Sequence, residues 1–376
     1  MRDKPRTRIW LLIVLALYAG LAMAKKDKDK DKDAPADDAF ERLTVVGDEL
    51  KSGIFDVSME YDDAGTGWLA YSWIEIPKFV ETHLAKSTNH GQTWEFVGVL
   101  EKSATSNIEE NGKRVKGAWR EETPCLLFDP SDAPERRWKL FTNRYFVAKP
   151  YKPLDRRMSD GTINMRYASS PDATWSAPVC VVGRQSDCLL DLPRADASLA
   201  DVRMNTEPGA IVEKGVIYLT MDAATTDAGL GDWANYRVIL LSSRDHGRSW
   251  KYVTTILSAK DAEQFGYRVF TGTSLVRDKG QIYLFATPSG AYKGKNQGHD
   301  GLMAMRVTDI ARGRLERDKS GAPKVVMRIM PNRTNGGLAD YDEQNTGGGI
   351  LMPQMSLRNL PKVFQTFDTG LKLEAR

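Results

Sequence analysis

The sequence predicts an all-β chain folded as a β-propeller of five blades, each made of four antiparallel strands. Three observations carry this reading. Strand-like alternation fills the chain while long helical periodicity is scarce. A pair of apolar runs joined by a polar turn recurs along the sequence. A short turn rich in Gly, Ser and Trp recurs as well, at wide intervals. Radial repetition of a four-stranded unit gives such strands a packed neighbour on both faces without long exposed edges.

The first 24 residues stand apart from this pattern. The basic start MRDKPRTR leads into an apolar run, Ile9 to Leu21, and then into Ala22-Met23-Ala24, the layout of a cleaved signal peptide. The run is short for a membrane span, so the reading is an exported chain, periplasmic or extracellular, with no span in its mature part. Residues 25–39 alternate Lys and Asp and lack large apolar side chains, which reads as a disordered charged linker. Residues 40–376 then form a single domain. The formal charge of +3 equals that of the leader, where Arg2, Lys4, Arg6 and Arg8 stand against Asp3. The mature chain is therefore near neutral, which does not point to nucleic acid.

The apolar pairs begin near Phe55, Glu122, Thr206, Thr271 and Gly347. Each gives the two innermost strands of one blade. Small residues suit the crowded axis, and they recur just inside each first run: Ser58, Cys125, Gly209, Ser274 and Gly349. The last unit runs short of sequence, so Phe40 to Val46 is expected to supply its outer strand and close the ring. A six-bladed ring is the alternative.

The repeated turn reads KSTNHGQTW at Lys86, SSPDATW at Ser169 and SSRDHGRSW at Ser242. Its Asp or Asn accepts hydrogen bonds from nearby backbone N–H groups, Gly supplies a positive φ, and Trp plugs the hairpin. The residues are Asn89, Gly91 and Trp94 in the first copy, Asp172 and Trp175 in the second, which lacks the Gly, and Asp245, Gly247 and Trp250 in the third. This turn resembles the Asp-box, or BNR repeat, of sialidase-type propellers. There it is a structural turn between the outer two strands of a blade, remote from the chemistry.

Function is then expected on the opposite face, which receives the long connections Arg144 to Asp160, Asp222 to Asn235 and Pro288 to Gly301. Aligning the repeats on their small residue places Asp56, Thr123, Glu207 and Gly272 in one slot, with Glu122 one residue earlier. Three neighbouring blades thus bring carboxylates to the mouth of the channel. Capping of loose backbone N–H groups is the plain structural alternative for any one of them.

The arrangement resembles the five-bladed glycosidases of the arabinanase, xylosidase and invertase superfamily. IFDVS is similar to the DPS-like opening of that group, with Val57 in place of Pro, and NTEPG matches its glutamate–proline position. Glu122 stands where that superfamily usually carries Asp. The resemblance implies that Glu207 is the general acid, Asp56 the base and Glu122 the group that tunes the acid. Inversion would place the Asp56 and Glu207 carboxyls roughly 6.5–9.5 Å apart, retention about 5–5.5 Å.

Candidate sugar contacts are Trp73, Trp119, Tyr145 and Trp233, because sugars stack on aromatic faces. Arg120, Arg144 and Arg268, with the basic stretch after Arg144, suggest an acidic sugar, although solvated surface charge is a competing account. The expected partner is an oligo- or polysaccharide, bound by a monomer. Two rival readings stay open: an exo-sialidase, for which the three arginines would clasp the substrate carboxylate, and a non-catalytic propeller that binds glycan or protein. Cys180 and Cys188 are the expected disulfide, Cys125 a buried thiol. With four His, two inside the repeated turns, a His-built metal site is not expected. No cofactor is expected, and structural calcium has no support in the sequence.

Overall fold

The computed structural model describes residues 40–151, 156–225, 235–291, 298–329, 336–356 and 359–373. The expected leader and linker lie outside the described residues, as does Trp233. The chain is nearly all-β. Among the described residues, no helix is long and apolar enough to cross a membrane.

The strands follow one another as meanders. β1 (Glu41–Arg42) and β2 (Val45–Val46) come from the N-terminal segment, and β3 (Gly53–Tyr61), β4 (Gly67–Glu75), β5 (Phe79–Ser87) and β6 (Trp94–Glu101) pair in order. β7 (Ala104–Glu110) pairs with the start of the long β8 (Lys113–Phe128). The rest of β8 leads into β9 (Trp138–Ala148), β10 (Arg156–Ala168) and β11 (Val179–Val182). β12 (Met204–Glu213), β13 (Val216–Ala224), β14 (Arg237–Ser243) and β15 (Lys251–Ser258) form the next sheet. β16 (Val269–Asp278), β17 (Gln281–Ser289) and β18 (Leu302–Asp309) follow, and both β19 (Arg314–Leu315) and β20 (Val325–Ile329) pair with β18. β21 (Asp340–Tyr341), β22 (Ile350–Met355) and β23 (Phe364–Asp368) complete the chain. β1 pairs antiparallel with β23, while β2 pairs with β6.

The first strands of these groups pack on one another in cyclic order: β3 on β8, β8 on β12, β12 on β16, β16 on β21 and β21 on β3. Close approach explains their small residues. Ser58 Oγ accepts the Leu126 N–H at 3.0 Å, Cys125 Sγ accepts the Ala210 N–H at 3.1 Å, and Ser274 Oγ donates to the Ala339 carbonyl. A Cβ on Gly209 would lie 2.3 Å from the Thr273 carbonyl oxygen. Burial drives the Cys125 thiol pKa up to about 12, so it stays a neutral packing group.

The last group corrects the sequence expectation. Gly349 does not face the axis; it lies before the second strand, packed against the backbone of Leu371. The innermost position belongs to Leu338–Tyr341, and Asp340 takes the place of the small residue, its Oδ2 accepting the Met59 N–H at 2.6 Å. The segment is short and carries a charged residue where the other repeats are apolar, so pattern matching slid to the next apolar run.

The three repeated turns occupy one structural position, each between the third and fourth strands of its meander: β5–β6, β10–β11 and β14–β15. In the third, Asp245 accepts from the Ser249 N–H and from Ser243 Oγ, both at 2.8 Å. Gly247 holds φ +88°, and Trp250 Nε1 donates to the Gly247 carbonyl at 3.1 Å. Trp250 packs edge-on against Phe141 of the preceding sheet. The first copy reproduces this with Asn89 accepting from Thr93, Gly91 at φ +78° and Trp94 buried. In the second, Trp175 Nε1 donates instead to the Pro171 carbonyl at 2.9 Å. Cys180 and Cys188 form a disulfide, and Cys125 is a buried free thiol.

Candidate active site

Four of the inner strands break their pairing register at the same height: at Phe55/Val57 in β3, Glu122/Cys125 in β8, Thr206/Gly209 in β12 and Thr271/Ser274 in β16. The residue at each break has a left-handed backbone, with φ 47° at Asp56, 52° at Thr123, 58° at Glu207 and 58° at Gly272. Only glycine adopts this without strain, so the other three positions cost about 1 kcal/mol or more each. Such bulges re-aim a side chain out of the strand's alternation. Here the outcome is one cavity lined by Asp56, Glu122 and Glu207 together, with Thr123 and His299 beside them.

Each carboxylate has its own support. Asp56 is buried, and its Oδ1 accepts the Leu338 N–H at 2.9 Å. Gly337 brings the backbone close: a Cβ there would lie 2.7 Å from Asp56 Oδ1. Glu207 Oε2 accepts the Gly272 N–H at 2.6 Å and the Thr271 hydroxyl at 2.5 Å. Glu122 is half-buried on the wall between them. The remaining lining is apolar: Phe55, Ile74, Ile76, Val80, Met355 and Phe364, with Phe55 and Phe364 meeting edge to face.

The other sequence candidates sit elsewhere. Trp73 is buried in the first sheet, stacked on His83, its Nε1 donating to the Glu49 carbonyl. Arg120 is buried and donates to the carbonyls of Lys78 and Pro77 and to Tyr145 Oη, which is itself fully buried. Trp119 lies under the guanidinium of Arg144, whose Nε pairs with Glu121 at 2.9 Å. Arg268 is half-buried, packed along Gly290. None of these lines the cavity of the three carboxylates. The connection expected from Arg144 to Asp160 is mostly strand, since β9 runs to Ala148 and β10 starts at Arg156. The β7–β8 extension gives β9 a partner past the cavity, and this lengthens the sheet.

The sequence reading missed the groups behind Glu207. Asp222, on β13 directly opposite Thr206, is fully buried and accepts from Tyr236 Oη at 2.6 Å and from Thr271 Oγ1. Burial first, and then the negative charge of Glu207, holds its carboxyl pKa far above the usual range. His299 lies with Nδ1 2.8 Å from Ser289 Oγ; burial lowers its pKa, against a weaker opposing pull from Glu207. Asp222 begins one long connection of the sequence and His299 lies in another, Pro288 to Gly301, and this position is the signal each carries.

No family model and no curated protein matches the chain. Its fold is similar to that of solved glycoside hydrolases of propeller-like families. A family 117 glycoside hydrolase of the marine bacterium Zobellia galactanivorans aligns with TM-score 0.50 and 15% identity, over 88% of this chain and 89% of that one. An exo-β-1,3-galactanase of Clostridium thermocellum aligns with TM-score 0.54 and 11% identity, over 87% of this chain and 60% of that one. A GH32 β-fructofuranosidase of Bombyx mori aligns with TM-score 0.50 and 11% identity, over 97% and 66%. At such identities the likeness is one of fold.

Proposed function

We propose that the chain is an exported glycoside hydrolase built as a closed propeller of five blades. The observation that carries the activity is the convergence of Asp56, Glu122 and Glu207, from three consecutive inner strands, on one cavity. The cyclic packing of β3, β8, β12, β16 and β21, with β1 joining the last sheet to the N-terminal segment, supports the five-bladed count.

In this reading Glu207 gives its carboxyl proton to the glycosidic oxygen as the bond to the anomeric carbon breaks. Asp56, ionised, takes a proton from the water that attacks that carbon from the other side, and Glu122 adds negative charge near the oxocarbenium-like transition state. After the step Glu207 is ionised and Asp56 protonated, and exchange with solvent resets them. The expected outcome is inversion.

The described lining carries no Lys or Arg and presents an apolar wall, which favours a neutral sugar over an acidic one. The arginine clasp of a sialidase gains no support, because Arg120 is turned to backbone carbonyls and Arg144 to Glu121. The test is hydrolysis of a panel of neutral and acidic oligosaccharides and aryl glycosides by the purified chain. Cleavage that Glu207→Gln and Asp56→Asn both abolish is expected. Binding of a glycan without cleavage of any panel member would replace the enzyme reading with the binding-module reading.

A further inference from the structure

We infer that Asp222 is the proton partner of Glu207: through the hydroxyl of Thr271 the two carboxyls share one proton, with Asp222 acting as a positioning residue that never touches substrate. The inference deepens the role given above to Glu207 and rests on that reading for its catalytic consequence, though not for its existence.

The argument is a count of hydrogens. Thr271 Oγ1 lies 2.5 Å from Glu207 Oε2 and makes a short contact to Asp222 Oδ2, which also takes Tyr236 Oη at 2.6 Å. These are three oxygen–oxygen links, beside a hydrogen-bond approach of the two carboxyls to each other, and each link needs a hydrogen. The two hydroxyls supply two, because Thr and Tyr each carry a single O–H. The third must sit on a carboxyl; otherwise two lone pairs face each other at hydrogen-bond distance. Tyr236 Oη is also 3.0 Å from Thr271 Oγ1, which adds a further claim on the same two protons.

Burial decides where the proton rests more of the time. Asp222 is fully buried and its Oδ1 has no hydrogen-bond partner among the described residues. No Lys or Arg pairs with it among the described residues. An ionised carboxylate in that setting is costly. Glu207, by contrast, borders the cavity and has the Gly272 N–H to hold charge on Oε2. The groups facing the pair are Tyr236, Thr271 of β16 and, around the cavity that Glu207 borders, Asp56, Glu122 and His299, whose burial favours the neutral ring.

The proton therefore has two addresses, of which Asp222 is the preferred one. When it is on Asp222, that carboxyl donates to Thr271 Oγ1, which donates to Glu207. Shifting both hydrogens one link along leaves Glu207 protonated and Asp222 ionised, with charge and atoms conserved. In that state Glu207 carries the proton it would give to a leaving oxygen, and ionisation of the pair ends the supply.

The test is a carboxyl titration of the full chain labelled with 13C at Glu Cδ, read by NMR without any substrate. Wild type is expected to show two macroscopic steps that belong to the Glu207–Asp222 pair, as for interacting sites. In Asp222→Asn the upper step should vanish, leaving one transition. Thr271→Val should have the same effect, while Thr271→Ser, which restores the hydroxyl, should keep both steps; this pair decides the matter if Asp222→Asn does not fold. A single ordinary step in wild type, or an upper step unchanged in Thr271→Val, would overturn the shared proton. Should a substrate be found, the basic limb of kcat/KM is expected to fall with the same variants. If no glycoside is cleaved while the two-step titration holds, it is the hydrolase reading that fails and the proton pair that stands.

Discussion

Glu207 occupies a strained backbone slot, and the acid role proposed for it is tested by the choice of leaving group. Glu207→Gln is expected to lower kcat by about 10²–10⁴-fold on unactivated glycosides, the usual range for a general acid, and by much less on aryl glycosides whose leaving group needs no proton. Steady-state kinetics on the two substrate types checks this. Proton NMR of the first-formed anomer checks the inversion assigned to Asp56. His83 makes a separate prediction. Burial opposes its imidazolium, but Asp48 Oδ2 at 2.8 Å from Nδ1 and Glu81 Oε2 at 3.5 Å from Nε2 outweigh it, so its pKa is raised. A raised folded-state pKa adds stability that is complete below the unfolded value of about 6.5 and is lost as pH rises through the folded value. Urea unfolding of wild type should therefore weaken from about pH 6.5 upward relative to His83→Gln, and parallel pH curves for the two would refute it.

Four of the inner strands carry a bulge, and three of the outer hairpins carry the repeated turn; the two devices separate function from stability. Asp245 accepts from Ser249 and Ser243, and although slight burial opposes it, these hydrogen bonds pull its pKa down to about 2. Asp245→Ala should cost about 1–2 kcal/mol of stability and leave glycosidase kinetics unchanged, since the turn lies away from the cavity. Gly337→Ala should do the reverse to the site. Its φ is +130° and the new Cβ would press on Asp56 Oδ1 and the Phe55 ring, so activity is expected to fall more than stability. Kinetics beside urea curves separates these outcomes. The turns were legible because Asn or Asp and Trp recur in all three copies and Gly in two. The bulges were legible only in part: Asp56 and Glu207 interrupt apolar runs, whereas Thr123 and the positive φ it shares with them leave no mark in composition.

The N-terminal segment bears on the whole molecule. It gives β1 to the last sheet and β2 to the first, with Leu43 and Val45 buried between. A chain beginning at Gly47 should lose about 3–5 kcal/mol against one beginning at Phe40, from those two side chains alone, and Leu43→Ala about 2 kcal/mol. Equal urea midpoints for the two chains would show that the segment does not hold the ends together. Within the expected Phe40 to Val46, the pairing of Glu41–Arg42 with β23 was recognisable because the last repeat lacked a strand, whereas the pairing of Val45–Val46 with β6 was not. The inner strand at Asp340 was not, because two residues of pairing carry no periodicity.

Local chemistry is written in order along the chain, so the sequence alone determined the all-β class, the repeated turns, the Cys180–Cys188 pair and the three carboxylates of the cavity. Proximity between distant segments is not written there. Which arginines face backbone carbonyls, which aromatics line the cavity, and that Asp222 stands behind Glu207 follow only when separate strands pack to within hydrogen-bond distance. Burial and pairing, properties of the assembled fold, decide what each side chain can do.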